Sequence, residues 1–337
     1  MQARLALLVS FVAIGACGDP LLPSYDLSGN TMGTTFNITL VAPPADADLD
    51  ALREQVYKTL ENIEDIASTY REDSELSRFN RNPSIDWIDV THEFCDMVDA
   101  AIAVNKATHG AFDVTVGPLV NLWGFGPGDG EDRIPTDEEI AAALSFVGAN
   151  QVEADCRQPA LIKTSPDVYV DLSGWAKGYA VDEIATLLDR RKLTNYLVEI
   201  GGELRVRGHN AEQGKFAVAI EKPNKNNKME YSILRVTDTA VATSGDYRNY
   251  FENDGRRYSH MIDPRTGRPI DHELTGVTVV SKTTAFADAM ATALMVLGPQ
   301  DGPALAEERD LAAYFLVRTD SGIIEKSTSR FEELKQE

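Results

Sequence analysis

A carboxylate and a hydroxyl spaced four residues apart are the first candidates for metal chemistry in this chain. Asp288 and Thr292 lie in the segment ADAMATA at 287–293, whose other residues are alanine and methionine. Residues four apart share one face of an α-helix, so both side chains would point the same way. Hard oxygen donors suit Mg²⁺, especially where phosphate oxygens complete its shell. The alternative is an aspartate that only compensates a helix dipole.

An arginine-rich segment at 255–269 is the second candidate. It contains His260, one of only five histidines in the chain, and a single acid, Asp263. Its cations are Arg256, Arg257, Arg265 and Arg268. Guanidinium groups match phosphate geometry, and histidine can act as a base near neutral pH. The pattern predicts either an anion-binding catalytic segment or a solvated hairpin with an arginine-rich turn.

A glycine-flanked turn at 171–182 is the third candidate. The sequence DLSGWAKGYAVD follows a β-rich run and leads into a predicted helix. Backbone amides at a helix N-terminus can receive a phosphate, and Lys177 could add a positive charge. The turn is not a P-loop, because GxxxxGK[ST] is absent. A corner in which Gly174 and Gly178 merely allow close packing is the alternative. The glycine pair in EIGGE at 199–203 and the strand end ATSGDY at 242–247 are weaker signals of the same kind.

Hydrophobic periodicity predicts the elements that must position these residues. Helices are expected at 49–68, 90–107, 136–146, 176–190, 284–297 and 303–309. Strands are expected at 36–40, 151–156, 160–164, 168–172, 195–208, 215–222, 231–243, 257–262, 275–281, 312–318 and 322–327. A loop is expected at 124–135 and a hairpin turn at 224–228. Because helices and strands do not alternate regularly, we expect an α+β fold: one compact domain with mixed or antiparallel sheets and flanking helices.

Charge excludes several classes of function. The 337 residues include 32 Lys and Arg against 53 Asp and Glu, a net charge of −21. A nucleic-acid-binding protein needs a cationic face, and so does a protein that docks on anionic lipid through bulk charge. Any anionic substrate therefore requires a local inversion of charge. The arginines at 256–268, Lys177 and a cation at Asp288 are the predicted source of that inversion.

The N-terminus predicts export and a lipid anchor. Residues 1–16 combine one cation, Arg4, with a short apolar run, and the sequence IGAC at 14–17 is similar to a bacterial lipobox. Cys17 would then be acylated, and residues 17–30 would tether a domain at 31–337 to a membrane surface. An ordinary secretory signal with a chance cysteine is the alternative. Either interpretation predicts a protein outside the cytoplasm. A lipoprotein would face the periplasm, but the sequence does not show whether its anchor lies in the inner or the outer membrane.

The two remaining cysteines, Cys95 and Cys156, could pair in an exported chain. Their spacing does not show that they approach each other, and we expect two buried thiols rather than a disulfide.

The order of the motifs along the chain resembles that of the ApbE family, FAD:protein FMN transferases with a T-fold-like α+β domain. The resemblance covers about residues 30–300. It rests on TMGT at 31–34, STYREDSELSRFN at 68–80, GAFDVTVGPLVNLWGFG at 110–126, DLSGWAKGYAVD at 171–182, EIGGELRVRG at 199–208, ATSGDY at 242–247, YSHMIDPRTGRPI at 258–270 and ADAMATALMVLG at 287–298. It implies that FAD and Mg²⁺ bind and that FMN is transferred to a Thr or Ser hydroxyl, with release of AMP.

The resemblance also implies roles for individual residues. Asp288 and Thr292 match metal ligands, and Gly174 matches a third, through its backbone carbonyl. His260, or a neighbouring carboxylate such as Asp263, would take the proton of the acceptor hydroxyl. The positions matching FAD contacts are Met32, Tyr70, Ala111, Phe112, Asp113, Asp171, Lys177 and Ile262.

The implied acceptors are exported flavin subunits of respiratory complexes, such as sodium-pumping NADH:quinone reductase or its ferredoxin-linked relative. Two other activities remain open at this point. In an FAD pyrophosphatase, water would replace the acceptor, although Tyr70 favours transfer. A non-catalytic flavin-binding lipoprotein would need a pocket but no metal ligands.

Overall fold

The computed structural model describes residues 21–127, 133–223, 229–246 and 249–336. The helices are α1 (Leu49–Ala67), α2 (Glu75–Arg81), α3 (His92–Ala107), α4 (Gly117–Leu122), α5 (Asp137–Leu144), α6 (Ala176–Arg190), α7 (Thr284–Glu308) and α8 (Ser329–Gln336). The strands are β1 (Ser24–Thr31), β2 (Thr34–Val41), β3 (Ile88–Asp89), β4 (Val152–Asp155), β5 (Ala160–Lys163), β6 (Tyr196–Ile200), β7 (Glu203–Arg207), β8 (Phe216–Pro223), β9 (Met229–Val236), β10 (Thr239–Gly245), β11 (Tyr250–Asn253), β12 (Arg256–Ser259), β13 (Ile262–Asp263), β14 (Arg268–Pro269), β15 (Leu274–Ser281), β16 (Ala312–Thr319) and β17 (Gly322–Ser327).

A large antiparallel sheet organises the domain. Within the described residues its strand order is β1-β2-β6-β7-β10-β15-β16-β17, and each neighbouring pair is antiparallel. The smaller sheets are β3-β5-β4 and the hairpins β8-β9, β11-β12 and β13-β14. The predicted α+β domain with antiparallel sheets is confirmed.

Strands β15 and β16 of the main sheet are buried on both faces, which explains their near-continuous apolar runs. In β16, Ala313 and Phe315 pack into the core that α1, α3, α6 and α7 cover, whereas Tyr314 and Leu316 face the hairpin β8-β9 and α8. Successive side chains of a strand point to opposite faces, so burial on both sides demands apolar residues at every position. None of the helices in the described ranges is both long and apolar enough to cross a membrane.

Short-range sequence features determine where α5 begins and where α7 is interrupted, as predicted. Thr136 and Glu139 form the expected capping box at the start of α5. Within α7, Gly298 has a φ of +81°, which interrupts the helix between the two segments predicted at 284–297 and 303–309. The first segment of α7 therefore ends where a residue with a side chain would be strained.

The tether predicted for residues 17–30 is wrong from Ser24 onward. Ser24–Thr31 forms the edge strand β1, which pairs with β2 along its whole length. Only two of its residues, Tyr25 and Leu27, are large and apolar, so alternation was too weak to reveal a strand. Cys17 and the targeting segment lie outside the described residues, as does the hairpin turn at 224–228. Helices α2, α4 and α8 were also not predicted.

Three predicted strand assignments also need correction. The run at 168–172 is not a strand, because the Asn80 side chain takes the place of a neighbouring strand: its Nδ2 donates to Val170 O and its Oδ1 accepts from Val170 N, both at 2.8 Å. The runs at 195–208 and 231–243 are each interrupted by a turn. Gly201 and Gly202, with φ of +65° and +112°, reverse the chain between β6 and β7.

Cys95 and Cys156 form a disulfide, so the expectation of two buried thiols is wrong. Their Cα atoms lie 5.6 Å apart, and the bond joins α3 to the end of β4. The contact depends on how α3 packs against the small sheet, which the spacing of 61 residues does not show.

Replacing both cysteines by alanine should lower the free energy of unfolding by about 4 kcal/mol, because the bond closes a long loop and restricts the unfolded chain. Urea unfolding of the oxidised protein, the reduced protein and the Cys95→Ala/Cys156→Ala variant measures the effect. Equal unfolding midpoints for the oxidised and reduced forms would show that the disulfide contributes nothing.

Candidate active site

A single cavity of about 470 Å³ collects most of the predicted site residues. It lies where the ends of β7 and β10 meet the N-terminal part of α6 and the first segment of α7. Other parts of its wall are the loops before α2 and α4, strand β8 and the chain around β13. The predicted residues that line it are Tyr70, Ala111, Phe112, Asp113, Asp171, Gly174, Lys177, His260, Ile262, Asp288 and Thr292. Segments more than 220 residues apart in sequence, such as those of Tyr70 and Thr292, therefore meet at one site.

One corner of the cavity presents oxygen donors. Asp288 is only 3% exposed, and its Oδ2 accepts a hydrogen bond from Gly178 N at 3.3 Å. One turn further along α7, Thr292 Oγ1 lies 3.2 Å from Ser244 Oγ. A Cβ placed on Gly174 would lie 3.5 Å from Thr292 Oγ1, so the turn before α6 closes the same corner. A glycine at 174 leaves room there that a larger side chain would fill.

This corner is not a cluster of classical metal-binding side chains. Across the described ranges, no three His, Cys, Asp or Glu side chains come together as a metal site. The available donors are one carboxylate, one hydroxyl and backbone carbonyls, a set that suits a hard cation with further ligands from substrate. Burial raises the pKa of Asp288, while the Lys177 ammonium and the Gly178 N–H oppose that rise.

An ion pair between a partly exposed ammonium and a buried carboxylate lies beside this corner and was missed from the sequence. Lys177 Nζ lies 2.6 Å from Glu203 Oε1, and the Glu203 side chain is only 4% exposed. Burial, reinforced by the charge of Asp288 and opposed by Lys177, raises the pKa of Glu203 to about 7. The glycine pair at 201–202 was the available signal, because it turns the chain so that Glu203 begins β7 facing the cavity.

The hydrogen bond of His260 to the backbone leaves its other ring nitrogen able to accept a proton. Its Nδ1 lies 2.8 Å from the backbone carbonyl of Asn249. A carbonyl only accepts, so Nδ1 carries the proton and Nε2 keeps its lone pair. Burial lowers the pKa of His260, the positive charge of Lys177 acts in the same direction, and the bond to Asn249 opposes both. The ring is therefore neutral near pH 7, as a general base must be.

Asp113 lines the cavity, but its oxygens are already engaged. Oδ1 accepts from Thr115 N at 2.8 Å and from Thr115 Oγ1 at 2.6 Å, and Oδ2 accepts from Asn105 Nδ2 at 2.8 Å. Burial raises its pKa in spite of these bonds. Asp113 thus shapes the loop at 111–115. Tyr70, by contrast, is 71% exposed at the rim, where its ring is free to cover a ligand.

Two predicted residues do not line the cavity. Asp263 instead binds Arg265. Its Oδ1 accepts hydrogen bonds from the backbone N and from Nε of Arg265, both at 2.9 Å, and its Oδ2 accepts one from Nη2 at 2.8 Å. Its oxygens are thus engaged away from the cavity, which argues against the predicted role as a base. Met32 lines an adjoining depression at the β1–β2 turn, where its backbone N donates to Glu64 Oε1 at 2.9 Å. Thr34, which lines this depression, also packs against Gly201 in the wall of the cavity.

Contrary to the prediction from the sequence, the arginine-rich segment at 255–269 does not make the site cationic. Each of its cations pairs with an acid: Arg256 with Asp271, Arg257 with Glu252, Arg265 with Asp263 and Arg268 with Asp137. None of the four lines the cavity. Among the described residues that do, Lys177 is the only Lys or Arg, against Asp113, Asp171, Glu203, Glu221 and Asp288. A phosphate ligand at this site therefore needs a cation that the side chains do not supply.

Comparison with known proteins agrees with the observed fold and with the family that the motifs resemble. A sequence profile of the ApbE family matches residues 32–315. The chain is 45% identical, over 331 residues and 98% of both proteins, to an FAD:protein FMN transferase of Vibrio cholerae. It is 41% identical to the FAD:protein FMN transferase of Escherichia coli K12 over 87% of this chain and 84% of that one.

Solved structures extend the likeness to three dimensions. The flavin transferase ApbE from Vibrio cholerae superimposes with a TM-score of 0.87 at 44% identity, over 93% of this chain and 99% of that one. The apo flavinyl transferase ApbE of Pseudomonas stutzeri superimposes with a TM-score of 0.86 at 40% identity, over 94% and 98% of the two chains. With a profile match over most of its length and relatives of this identity, the chain belongs to the ApbE family.

Proposed function

We propose that this chain transfers FMN from FAD to a Thr or Ser hydroxyl of an acceptor protein and releases AMP, with Mg²⁺ as the metal. The observation that carries the proposal is the meeting, in one cavity, of a neutral histidine with an available Nε2 and a corner of hard oxygen donors. The names of relatives that cover nearly the whole chain support the same reaction.

The residues present fit a Mg²⁺ ion. Asp288, Thr292 and the Gly174 carbonyl would hold it, and the excess of acids over Lys177 around the cavity explains why an anionic pyrophosphate would need it. When bound, the ion would neutralise the negative charge of the pyrophosphate. This charge grows on the leaving AMP as the phosphoanhydride bond breaks.

The chain's own residues then perform the proton transfer and the positioning. The acceptor oxygen attacks the phosphorus on the FMN side of FAD and forms a phosphoester. His260 Nε2 takes the proton of that hydroxyl, and the phosphoanhydride bond to AMP breaks. Lys177, held by Glu203, places one positive charge beside the reacting phosphates. Atoms and charge balance without any redox step.

Incubation with FAD and Mg²⁺, with and without an acceptor, tests the reaction. The proposal requires release of AMP to depend on the acceptor. Equally rapid release of AMP and FMN without acceptor would identify an FAD pyrophosphatase instead. FAD that binds but is never consumed, even with a plausible acceptor, would identify a binding protein.

Two variants compare a cation outside the cavity, Arg256, with the cation that lines it, Lys177. Arg256→Gln should change the dissociation constant of FAD by less than about twofold, because Arg256 forms an exposed pair with Asp271 away from the cavity. Lys177→Gln should weaken FAD binding by roughly tenfold or more, because it removes a charged donor that lines the site. Fluorescence titration measures both. A larger effect for Arg256→Gln would restore the arginine segment to the site.

We also propose that the protein is exported, acylated at Cys17, and faces the periplasm. The lipobox-like sequence at 14–17 supports the anchor, and the Cys95–Cys156 disulfide fits an oxidising compartment. Exported flavin subunits of respiratory complexes, including those of sodium-pumping NADH:quinone reductase or its ferredoxin-linked relative, are the corresponding acceptors.

A further inference from the structure

Glu203 has one carboxylate oxygen whose bonding the structure leaves unexplained. Oε1 holds Lys177, but Oε2 is buried and has no hydrogen-bond partner among the described residues. A buried carboxylate oxygen without a donor is costly, so such groups usually await a ligand or water. The proposed proton transfer and metal binding do not use this atom.

Glu203 belongs to the wall of the cavity that holds the other site residues. The residue lines the cavity directly after Gly201 and Gly202, and the whole residue is only 3% exposed. Gly202 has open space where a side chain would be, so residue 202 places no side chain beside Glu203. In its ionised form, which the Lys177 ammonium favours, the carboxylate only accepts hydrogen bonds, so the partner of Oε2 must be a donor such as a hydroxyl.

FAD carries hydroxyl donors on the ribityl chain of the flavin and on the ribose of the adenosine, and N–H donors on the flavin ring and the adenine. The hydroxyls adjoin the phosphates, which Lys177 and the oxygen-donor corner beside Glu203 would hold, whereas the N–H donors lie at the outer edges of the two ring systems. The phosphates of FAD are acceptors and would be repelled by Glu203. We infer that Glu203 binds a sugar-type hydroxyl of the flavin nucleotide through Oε2 while its Oε1 positions Lys177. This inference rests on the proposed function, since it takes FAD to be the ligand.

Neutral ligands test the inference without interference from the phosphate charges. Riboflavin and lumiflavin differ in the ribityl hydroxyls, and adenosine and 2′,3′-dideoxyadenosine differ in the ribose hydroxyls. The wild type should prefer the hydroxylated member of one pair. Glu203→Gln should reduce that preference by roughly tenfold, because a hydrogen bond between a hydroxyl and a charged carboxylate is stronger than one between a hydroxyl and a neutral amide. Equilibrium dialysis or flavin fluorescence measures each affinity.

A double-variant cycle separates hydroxyl binding from the positioning of Lys177. In a Lys177→Met background, Glu203→Gln should still reduce the preference for the hydroxylated ligand. Glu54→Gln, at an exposed position on α1, is the matched control and should change no preference. Circular dichroism and thermal unfolding verify that each variant is folded.

Unchanged preferences in Glu203→Gln for both ligand pairs would overturn the inference, as would an effect that disappears in the Lys177→Met background. The proposed function is judged separately, by transfer in the wild type. A wild type that transfers FMN but shows no role for Glu203 refutes only this inference, whereas a wild type that never consumes FAD refutes the proposed function.

Discussion

Replacing Asp288 by asparagine is expected to lower Mg²⁺-dependent FMN transfer by on the order of 10³-fold, because the site loses its one carboxylate in the oxygen-donor corner. Thr292 and Ser244 are neutral, and neutral ligands alone hold a divalent cation weakly. The loss should appear both in the rate at saturating FAD and in the Mg²⁺ concentration that the reaction requires.

The fold should survive this substitution. Asparagine keeps an oxygen that can accept the bond from Gly178 N. Because burial raises the pKa of Asp288, its ionised form costs folding free energy at neutral pH, and the neutral amide removes that cost. The thermal midpoint without metal should therefore be equal to or above that of the wild type. Mg²⁺ should raise the midpoint of the wild type but not that of the variant.

Asp301→Asn is the matched control, since Asp301 is an exposed acid on the second segment of α7. It should retain full activity and the response to Mg²⁺. Full Mg²⁺-dependent transfer in Asp288→Asn would refute the metal assignment, and an unfolded variant would show that the carboxylate is needed for the structure instead.

Replacing His260 by glutamine is expected to lower the rate of transfer by about 10²- to 10⁴-fold while FAD binding is preserved. Glutamine can still donate to the Asn249 carbonyl, so the local structure should persist, but it cannot take a proton. The pH dependence supplies an independent readout. Burial lowers the pKa of His260 from its ordinary value of 6.5, so the wild-type rate should rise with pH through that lowered pKa and level off by neutrality.

The variant should lose this rise in the acidic range. The direction follows from the role, because a base acts only when unprotonated and burial keeps His260 unprotonated to lower pH. Asp263→Asn serves as a comparison, since its carboxylate binds Arg265 and does not line the cavity. A large loss of rate in Asp263→Asn with little loss in His260→Gln would transfer the role of base to the carboxylate.

The parts of the site that lie on one helix could be predicted from the sequence. Asp288 and Thr292 face the same cavity because four residues make about one turn, and α6 spans the residues that the pattern indicated, Ala176–Arg190. Local rules also located the capping box of α5. These features depend on neighbours within a few residues, which is the range over which periodicity and capping act.

The features that were missed depend on contacts between distant segments. Glu203 pairs with Lys177 because α6 packs against β7. The arginines at 256–268 are neutralised by acids such as Glu252 on the paired strand and Asp137 on α5, which no local pattern shows. The disulfide likewise requires α3 to lie against the small sheet. Local charge counts therefore misjudged where the site is cationic.

Mass spectrometry of an acceptor flavin subunit is the most direct test of the proposed transfer. The subunit is incubated with the purified protein, FAD and Mg²⁺, and its intact mass and the released AMP are measured together. We predict one adduct with the mass of FMN less water on a Thr or Ser, one AMP for each adduct, and no adduct with Asp288→Asn or without Mg²⁺. Consumption of FAD that leaves the acceptor unmodified, or an adduct that forms equally without the protein, would contradict the account.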